Sequence, residues 1–254
     1  MWHPGWWDNP ASMVRRKPPA AHELPVPRIV QPDDTTCGPT CLAQVSAYFR
    51  RPTPVSEILT DLGRLEHGGT LAVFLAIRAL ELGFHAVLYP MGVRVFDPTW
   101  WSSSPDRLLE KLQARHDVCD SSVEREVHRA WMDFLRRGGQ VRFEELTPHL
   151  LRSSIDRGHP LTCGLNVTWL YQESREQADG RSDDIGGDQV GHFVTIAGYA
   201  EDGMTFDVRD PHWEAPFGVD GHYRVAVHRL IHAILIGDRT RDAVLLEIWP
   251  RGLE

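Results

Sequence analysis

The sequence predicts an α+β fold, with an N-terminal helical part packed on a mostly antiparallel sheet. In the first part, apolar residues recur at three- and four-residue steps, as in CGPTCLAQVSAYF from Cys37 onward, which is the spacing of one helix face. In the later part, two strand-like runs, GHFVTIAGYA and MTFDVRDP, flank the turn residues Glu201, Asp202 and Gly203, a pattern typical of a β-hairpin. Helices that precede strands, rather than alternate with them, indicate the α+β class.

The composition excludes several functional classes. The chain has 254 residues, of which 42% are hydrophobic, enough for the core of one large domain. Its net charge of -8 disfavours nucleic-acid binding, which needs a basic surface. No segment reaches the ~20 apolar residues of a membrane span, and the N-terminus lacks the apolar run of a secretory signal. Four unevenly spaced cysteines give no disulfide framework, so we expect a reduced, cytoplasmic protein.

The chain divides into an arm and one domain. Residues 1–28 are rich in Trp and Pro, and we expect this arm to cover an apolar surface of the body or of a partner. Residues 29–250 form the predicted domain. Within it, residues 102–138 are charged and amphipathic, with Pro and Gly-Gly near their ends, so we interpret them as a helical insertion or subdomain.

Cys37 is the candidate nucleophile, because it stands where a helix is predicted to begin. The positive end of the helix dipole and the unpaired N–H groups of the first turn favour a thiolate there. Gly38 adds no side-chain bulk beside the sulfur, so its backbone can approach a substrate closely. A buried helical cysteine is more often a packing residue, so the assignment depends on a base and an orienting group elsewhere in the chain.

His192 is the candidate base, and Asp210 is the residue expected to orient it. His192 opens an apolar strand directly after Gly191, and such a junction between loop and strand can present a catalytic side chain to a cleft. Asp210 ends the next strand, so the predicted hairpin places both residues near its open end. Asp207 is the alternative, although it lies nearer the middle of its strand.

These residues resemble the bacteriocin-processing cysteine peptidases of the papain-like clan, which cleave after Gly-Gly leaders. The matching segments are QPDDTTCGPTCL from Gln31 to Leu42, GHFVTIAGY from Gly191 and the pair Asp210-Pro211. The resemblance implies a papain-like fold, a bacterial thiol protease and a peptide or protein substrate, with no metal or organic cofactor. It also implies that Gln31 and the Cys37 backbone N–H form an oxyanion hole, and that Gly38 and Gly191 contact the substrate.

This sequence departs from the family pattern in two places. Thr36 stands where many members have Asp, which leaves the catalytic roles unaffected. The separation of Cys37 from His192 is longer than we expect for a compact peptidase domain, and the segment 102–138 accounts for part of it. Since no membrane or ATP-binding segment is recognised, we expect a stand-alone member of the family.

Alternative interpretations remain open from the residues alone. The leading hypothesis is a hydrolase of peptide or related amide bonds through a Cys37 acyl-enzyme. An acyltransferase with an amine or thiol acceptor would use the same site, and a non-enzymatic peptide-binding module would share the fold. A zinc site at Cys37 and Cys41 is disfavoured, because no second ligand pair has suitable spacing.

Further polar residues are interpreted as solvated. The acidic residues of the polar loop 172–190 are read as a solvated charge run rather than a calcium site. His212 and His222 follow the Asp-Pro pair and could line the cleft, although we favour solvated loop positions for them.

Overall fold

The computed structural model describes residues 21–63, 70–217, 220–237 and 243–252. Within these ranges, the strands are β1 (His22–Glu23), β2 (Phe84–Pro90), β3 (Gln140–Val141), β4 (Leu161–Asn166), β5 (Gly191–Tyr199), β6 (Thr205–Arg209), β7 (His222–Ala226) and β8 (Val244–Pro250). They form one sheet in the order β3-β2-β8-β4-β5-β6-β7, and β1 pairs with the end of β5. The pairing of β2 with β3 is parallel and the others are antiparallel. The prediction of a mostly antiparallel sheet is confirmed.

Helices cover both faces of this sheet. They are α1 (Cys37–Tyr48), α2 (Val55–Thr60), α3 (Ala72–Glu81), α4 (Pro105–Asp117), α5 (Ser122–Arg136), α6 (Pro148–Asp156), α7 (Val167–Tyr171) and α8 (Val227–Ile236). The buried residues of α1 to α5 share one core with one face of the sheet, and those of α6 to α8 share a second core with the other face. The α+β prediction is therefore confirmed, and the structure adds a second helical layer to it.

The pleat of β8 shows how one strand serves both cores. Val244, Leu246 and Ile248 belong to the core on the α1 side, whereas Leu245 belongs to the core on the α8 side. Successive side chains of a strand point to opposite faces, so the nearly continuous apolar run of this strand is what a sheet covered on both faces requires.

The charged segment 102–138 is a helical hairpin that belongs to the first core. Ser104 and Ser121 cap α4 and α5 by accepting hydrogen bonds from the backbone N–H groups of Arg107 and Glu124. The buried face of α5 includes Trp131. The predicted helices are present and share a core with α1. That the hairpin is an insertion stays a prediction.

The second part of the predicted arm lies against the body. Residues 1–20, with their tryptophans, lie outside the described residues. From His22 the chain pairs with Tyr199 at the end of β5, and Leu24 and Val26 are buried in the core on the α8 side. In the described part of the chain, no helix is both long and apolar enough to cross a membrane.

Candidate active site

Cys37 is the first residue of α1 and is partly exposed. The residue at the N-cap position, Thr36, makes no side-chain capping bond. Its hydroxyl donates instead to the Asp33 carbonyl at 2.9 Å. The first turn contains no acidic side chain, and the leading N–H groups of a helix have no partner within the helix. The sulfur therefore lies at an uncompensated positive helix end, which favours an anion.

Gly38 lets the start of α1 approach α3 and β5 closely. A Cβ atom at this position would lie 2.9 Å from Leu75 Cδ1 and 3.3 Å from Phe193 Cδ2. Because Phe193 directly follows His192, this contact brings the helix start beside the candidate base. A contact between the Gly38 backbone and substrate, which the resemblance implies, stays a prediction.

The hairpin of β5 and β6 brings the candidate base and its orienting acid together. His192 Nε2 lies 2.9 Å from Asp210 Oδ1, and both side chains are buried. The Cys37 side chain acts on the same imidazole and raises its pKa. Nε2 is engaged by Asp210, so Nδ1 is the ring nitrogen available to the sulfur. The three residues therefore lie together at one site.

Asp210 is held by a full set of donors. Its Oδ1 also accepts from the backbone N–H of His212 at 2.9 Å. Its Oδ2 accepts from the hydroxyls of Tyr171 and Tyr223, each at 2.7 Å. A buried carboxylate whose two oxygens are both bonded keeps a fixed orientation, and therefore so does the imidazole that it holds.

His192 and Asp210 each stabilise the charged form of the other, which burial alone would disfavour. Burial opposes the charged form of His192, but attraction to Asp210, followed by the hydrogen bond that His192 donates to Asp210 and the interaction with Cys37, raises its pKa to about 10. Burial likewise opposes the charge of Asp210, but the attraction of His192 and the donated hydrogen bonds lower its pKa to about 2. At neutral pH the pair is an imidazolium and a carboxylate.

Gln31 lies beside this site and is tied to it through the backbone. Its N–H donates to the Pro211 carbonyl at 2.9 Å, and its side-chain Nε2 donates to the Asp33 carbonyl at 2.9 Å. The Arg28 guanidinium donates two hydrogen bonds to the same segment. Its Nε lies 3.1 Å from the Asp210 carbonyl oxygen and its Nη2 lies 2.7 Å from the His212 carbonyl oxygen. The loop before α1 and the segment after β6 are therefore one connected unit.

Asp207, the alternative orienting acid, lies elsewhere. It pairs with Gly198 in the sheet, and its Oδ1 accepts from Arg224 Nε at 2.9 Å. The hydrogen bond of His192 goes to Asp210 instead.

A cleft of about 310 Å³ opens at the catalytic candidates, and its wall includes Gln31, Gly191, His192 and His212. The His212 ring lies 6.0 Å from the His192 ring, measured between centroids. His212 thus lines the cleft, as the sequence allowed, and it does so from a partly exposed position outside the helices and strands. His222 lies in β7 rather than in a loop.

The remaining cysteines and acidic residues show no metal arrangement. Cys41 and Cys163 are buried, and burial raises the pKa of both thiols. In the polar loop, Asp183 Oδ1 accepts from the backbone N–H groups of Ile185 and Gly186. The described ranges contain no group of three or more His, Cys, Asp or Glu side chains suited to holding a metal ion.

Sequence reasoning missed the residues that fix Asp210. Tyr171 and Tyr223 bond its side chain, and Arg28 bonds its carbonyl. Tyr171 ends an apolar run and Tyr223 lies in an alternating strand, so each fits an ordinary structural role. No local pattern distinguishes them; only the tertiary contact does.

Comparison with known proteins gives structural neighbours but no sequence relatives. No family model matches this sequence, and no curated protein matches it. A protein of Bacillus anthracis named as a C39-like peptidase is 14% identical, with 92% of this chain and 99% of that chain covered and a TM-score of 0.49. A double-glycine-motif protease from an AMS/PCAT transporter, solved with the leader peptide, is 16% identical, with 90% and 94% covered and a TM-score of 0.42.

A third solved structure is xylellain, a cysteine protease from Xylella fastidiosa. It is 14% identical, with 91% of this chain and 86% of that chain covered and a TM-score of 0.41. Because all three similarities are this remote, the interpretation of the site rests on its own geometry.

Proposed function

We propose that this protein is a cysteine hydrolase that cleaves a peptide or related amide bond through an acyl-enzyme on Cys37. One observation carries the proposal: the buried imidazole of His192 bonds Asp210 through Nε2 and keeps Nδ1 available, and Cys37 at the start of α1 is close enough to raise its pKa. Covalent acyl transfer requires a nucleophile, a base and a group that orients the base, all close together.

In the first half-reaction, the Cys37 thiolate attacks the substrate carbonyl carbon. The resulting oxyanion accepts from the Cys37 backbone N–H and from the Gln31 Nε2 proton that does not bond the Asp33 carbonyl. The His192 imidazolium then gives its proton to the departing amine as the C–N bond breaks. A thioester to Sγ remains.

In the second half-reaction, water attacks the thioester while His192 accepts one of its protons. The C–S bond breaks, the carboxylic acid leaves, and the thiolate and imidazolium are restored. No metal or organic cofactor enters either half-reaction. The reduced, cytoplasmic setting is part of this proposal, because the unpaired thiol of Cys37 must stay reduced to react.

The test compares Cys37→Ala with Cys119→Ala. Cys119 is also unpaired and partly exposed, so it is a matched control. A mixture of defined synthetic peptides is incubated with each protein, and new termini are identified by mass spectrometry. We expect cleavage by the wild type and by Cys119→Ala, and none by Cys37→Ala.

Three outcomes would contradict this proposal. Cleavage that persists in Cys37→Ala would remove Cys37 as the nucleophile. Products joined to an added amine, in place of hydrolysed ends, would identify a transferase. Binding of peptides without any turnover by the wild type would identify a binding module.

A further inference from the structure

The cleft beside the catalytic candidates is lined by acidic side chains. Asp34 comes from the loop before α1, Glu173 and Glu176 from the loop after α7, and Glu214 from the segment after β6. Three separate stretches of chain thus place carboxylates around one opening, although they are far apart in the sequence. The arrangement is a product of the tertiary fold and not of a local acidic run.

Within the described residues, this lining has no basic partner. Among the described residues, no Lys or Arg forms an ion pair with any of these four carboxylates. Arg175 lies in the same loop, but its guanidinium bonds the carbonyls of Asp184 and Ile185. The His192 charge is already balanced by Asp210. The negative field in the cleft is therefore left for a bound molecule to compensate.

A second, independent observation points to a hydrogen-bond donor in the bound molecule. Gln31 is 4% exposed and lines the cleft, and its Oε1 is buried with no hydrogen-bond partner among the described residues. A buried acceptor of this kind is normally satisfied. An N–H group of a bound substrate would supply the missing donor.

One carboxylate of the lining acts on a residue that holds Asp210. Burial raises the pKa of Tyr171, and the charges of Asp210 and Glu173 add to that effect. Since Tyr171 donates to Asp210, Glu173 acts on the immediate surroundings of the catalytic pair.

We propose that the cleft selects a peptide substrate with a lysine or arginine side chain beside the scissile bond. This inference rests on the proposed function. A cation beside several carboxylates gains Coulomb energy that a neutral side chain does not, and an acidic side chain is repelled. The lining thereby provides both the attractive and the repulsive part of specificity.

The first experiment measures the field at Cys37 without requiring turnover. The full-length protein is treated at pH 8 with 2-aminoethyl methanethiosulfonate, a cation, or with 2-sulfonatoethyl methanethiosulfonate, an anion. In each case the thiolate forms a mixed disulfide and methanesulfinate leaves. Peptide mapping by mass spectrometry gives the rate at Cys37 and, as an internal reference, at Cys119.

We expect the cationic reagent to modify Cys37 about tenfold faster than the anionic one at low salt, after normalisation to Cys119, and the ratio to fall as salt screens the field. The double variant Glu173→Gln/Glu214→Gln should lower the ratio about threefold or more. Glu201→Gln, which removes a carboxylate at the opposite end of the β5–β6 hairpin, should leave it unchanged. Equal rates for the two reagents would overturn the inference.

The second experiment uses peptides that are identical except for one residue beside the cleaved bond, which is Arg, citrulline or Glu. We expect kcat/KM to fall in that order, and the preference for Arg over citrulline to shrink in Glu173→Gln/Glu214→Gln. Cleavage without preference for Arg would overturn the substrate class and leave the hydrolase proposal standing. A reagent preference at Cys37 with no peptide cleaved would overturn the hydrolase proposal and leave the charge selectivity of the cleft established.

Discussion

Asp210 is the residue on which the candidate site depends. It accepts from the His192 imidazole, two tyrosine hydroxyls and the His212 N–H, so each carboxylate oxygen has two donors. The His192 imidazole cannot reorient, because its ring is buried and its Nε2 bonds Asp210. The orientation of its Nδ1 is therefore set by the groups around Asp210.

Removing one of those donors should loosen the hold on Asp210 without removing every hydrogen bond to its carboxylate. In Tyr223→Phe, Asp210 Oδ2 keeps only the Tyr171 hydroxyl. A hydrogen bond to a charged group contributes about 1.5–3 kcal/mol, so we expect the free energy of unfolding to drop by roughly that amount and kcat to fall. Urea denaturation and peptide turnover measure both. Tyr48→Phe is the control, since the Tyr48 hydroxyl does not bond the site. Equal stability of the two variants would contradict this role of Tyr223.

The pKa shifts of the pair predict a specific dependence of stability on pH. The pKa of His192 rises from 6.5 to about 10, so its contribution to the free energy of unfolding is complete below pH 6.5 and is lost as pH rises toward 10. The pKa of Asp210 falls from 3.8 to about 2, so its contribution is complete above pH 3.8 and is lost as pH falls toward 2.

Asp210→Asn isolates this effect, since it removes the charge that raises the pKa of His192. We expect the stability difference between wild type and Asp210→Asn to be largest between about pH 4 and 6.5 and to shrink steadily toward pH 10. Urea titrations at half-unit intervals measure it, and other titrating groups cancel in the difference. A difference that stays constant from pH 6 to 10 would show that His192 is not protonated in the folded protein.

The places of Cys37, His192 and Asp210 in the fold could be predicted from the sequence, because each stands at the end of an element with a clear pattern; their catalytic roles stay predictions. A helix start and the open end of a hairpin are local features, so the juxtaposition of His192 and Asp210 follows from the turn between their strands. Tyr171 lies 39 positions from Asp210, in an element of five residues. Its contact depends on how β4 pairs with β5, which no local pattern specifies.

At the scale of elements, the contact between the start of α1 and β5 sets the distance from nucleophile to base. Gly38 makes this approach possible, since a Cβ there would press on Leu75 and Phe193. The helix start and the hairpin of β5 and β6 could be predicted from the sequence. The need for glycine at this crossing could not, because it depends on the interatomic distances at the crossing.

Gly38→Ala should therefore displace the start of α1. An added methyl group in a packed core costs about 1–3 kcal/mol, which outweighs the better helix propensity of alanine. We expect a lower free energy of unfolding and slower alkylation of Cys37 by iodoacetamide. Leu75→Val, which removes volume from the opposing side chain, should recover part of both losses in the double variant. A Gly38→Ala protein as stable and as reactive as the wild type would refute the close approach.

At the scale of the whole molecule, the sheet separates two cores that each contain a buried cysteine. Cys41 belongs to the core on the α1 side and Cys163 to the core on the α8 side. The strands are common to both cores, since β2 and β8 send alternate side chains to each. Loss of one core should therefore expose the other, and the two thiols report on the two faces separately.

Trp131 tests whether the α4–α5 hairpin is part of this unit or a separate subdomain. It is 6% exposed in the α1-side core and packs edge-to-face on Phe96 at 4.8 Å between ring centroids. Truncation of a buried tryptophan costs about 3–5 kcal/mol, so Trp131→Ala should speed the alkylation of Cys41 and Cys163 in urea by the same factor, with a single unfolding transition. Gln113→Ala, which removes an exposed side chain of α4, is the control. A second, earlier transition that leaves both thiols protected would show that the hairpin unfolds alone, whereas equal acceleration at both would mean that residues 102–138 are as integral to the domain as the helix that carries Cys37.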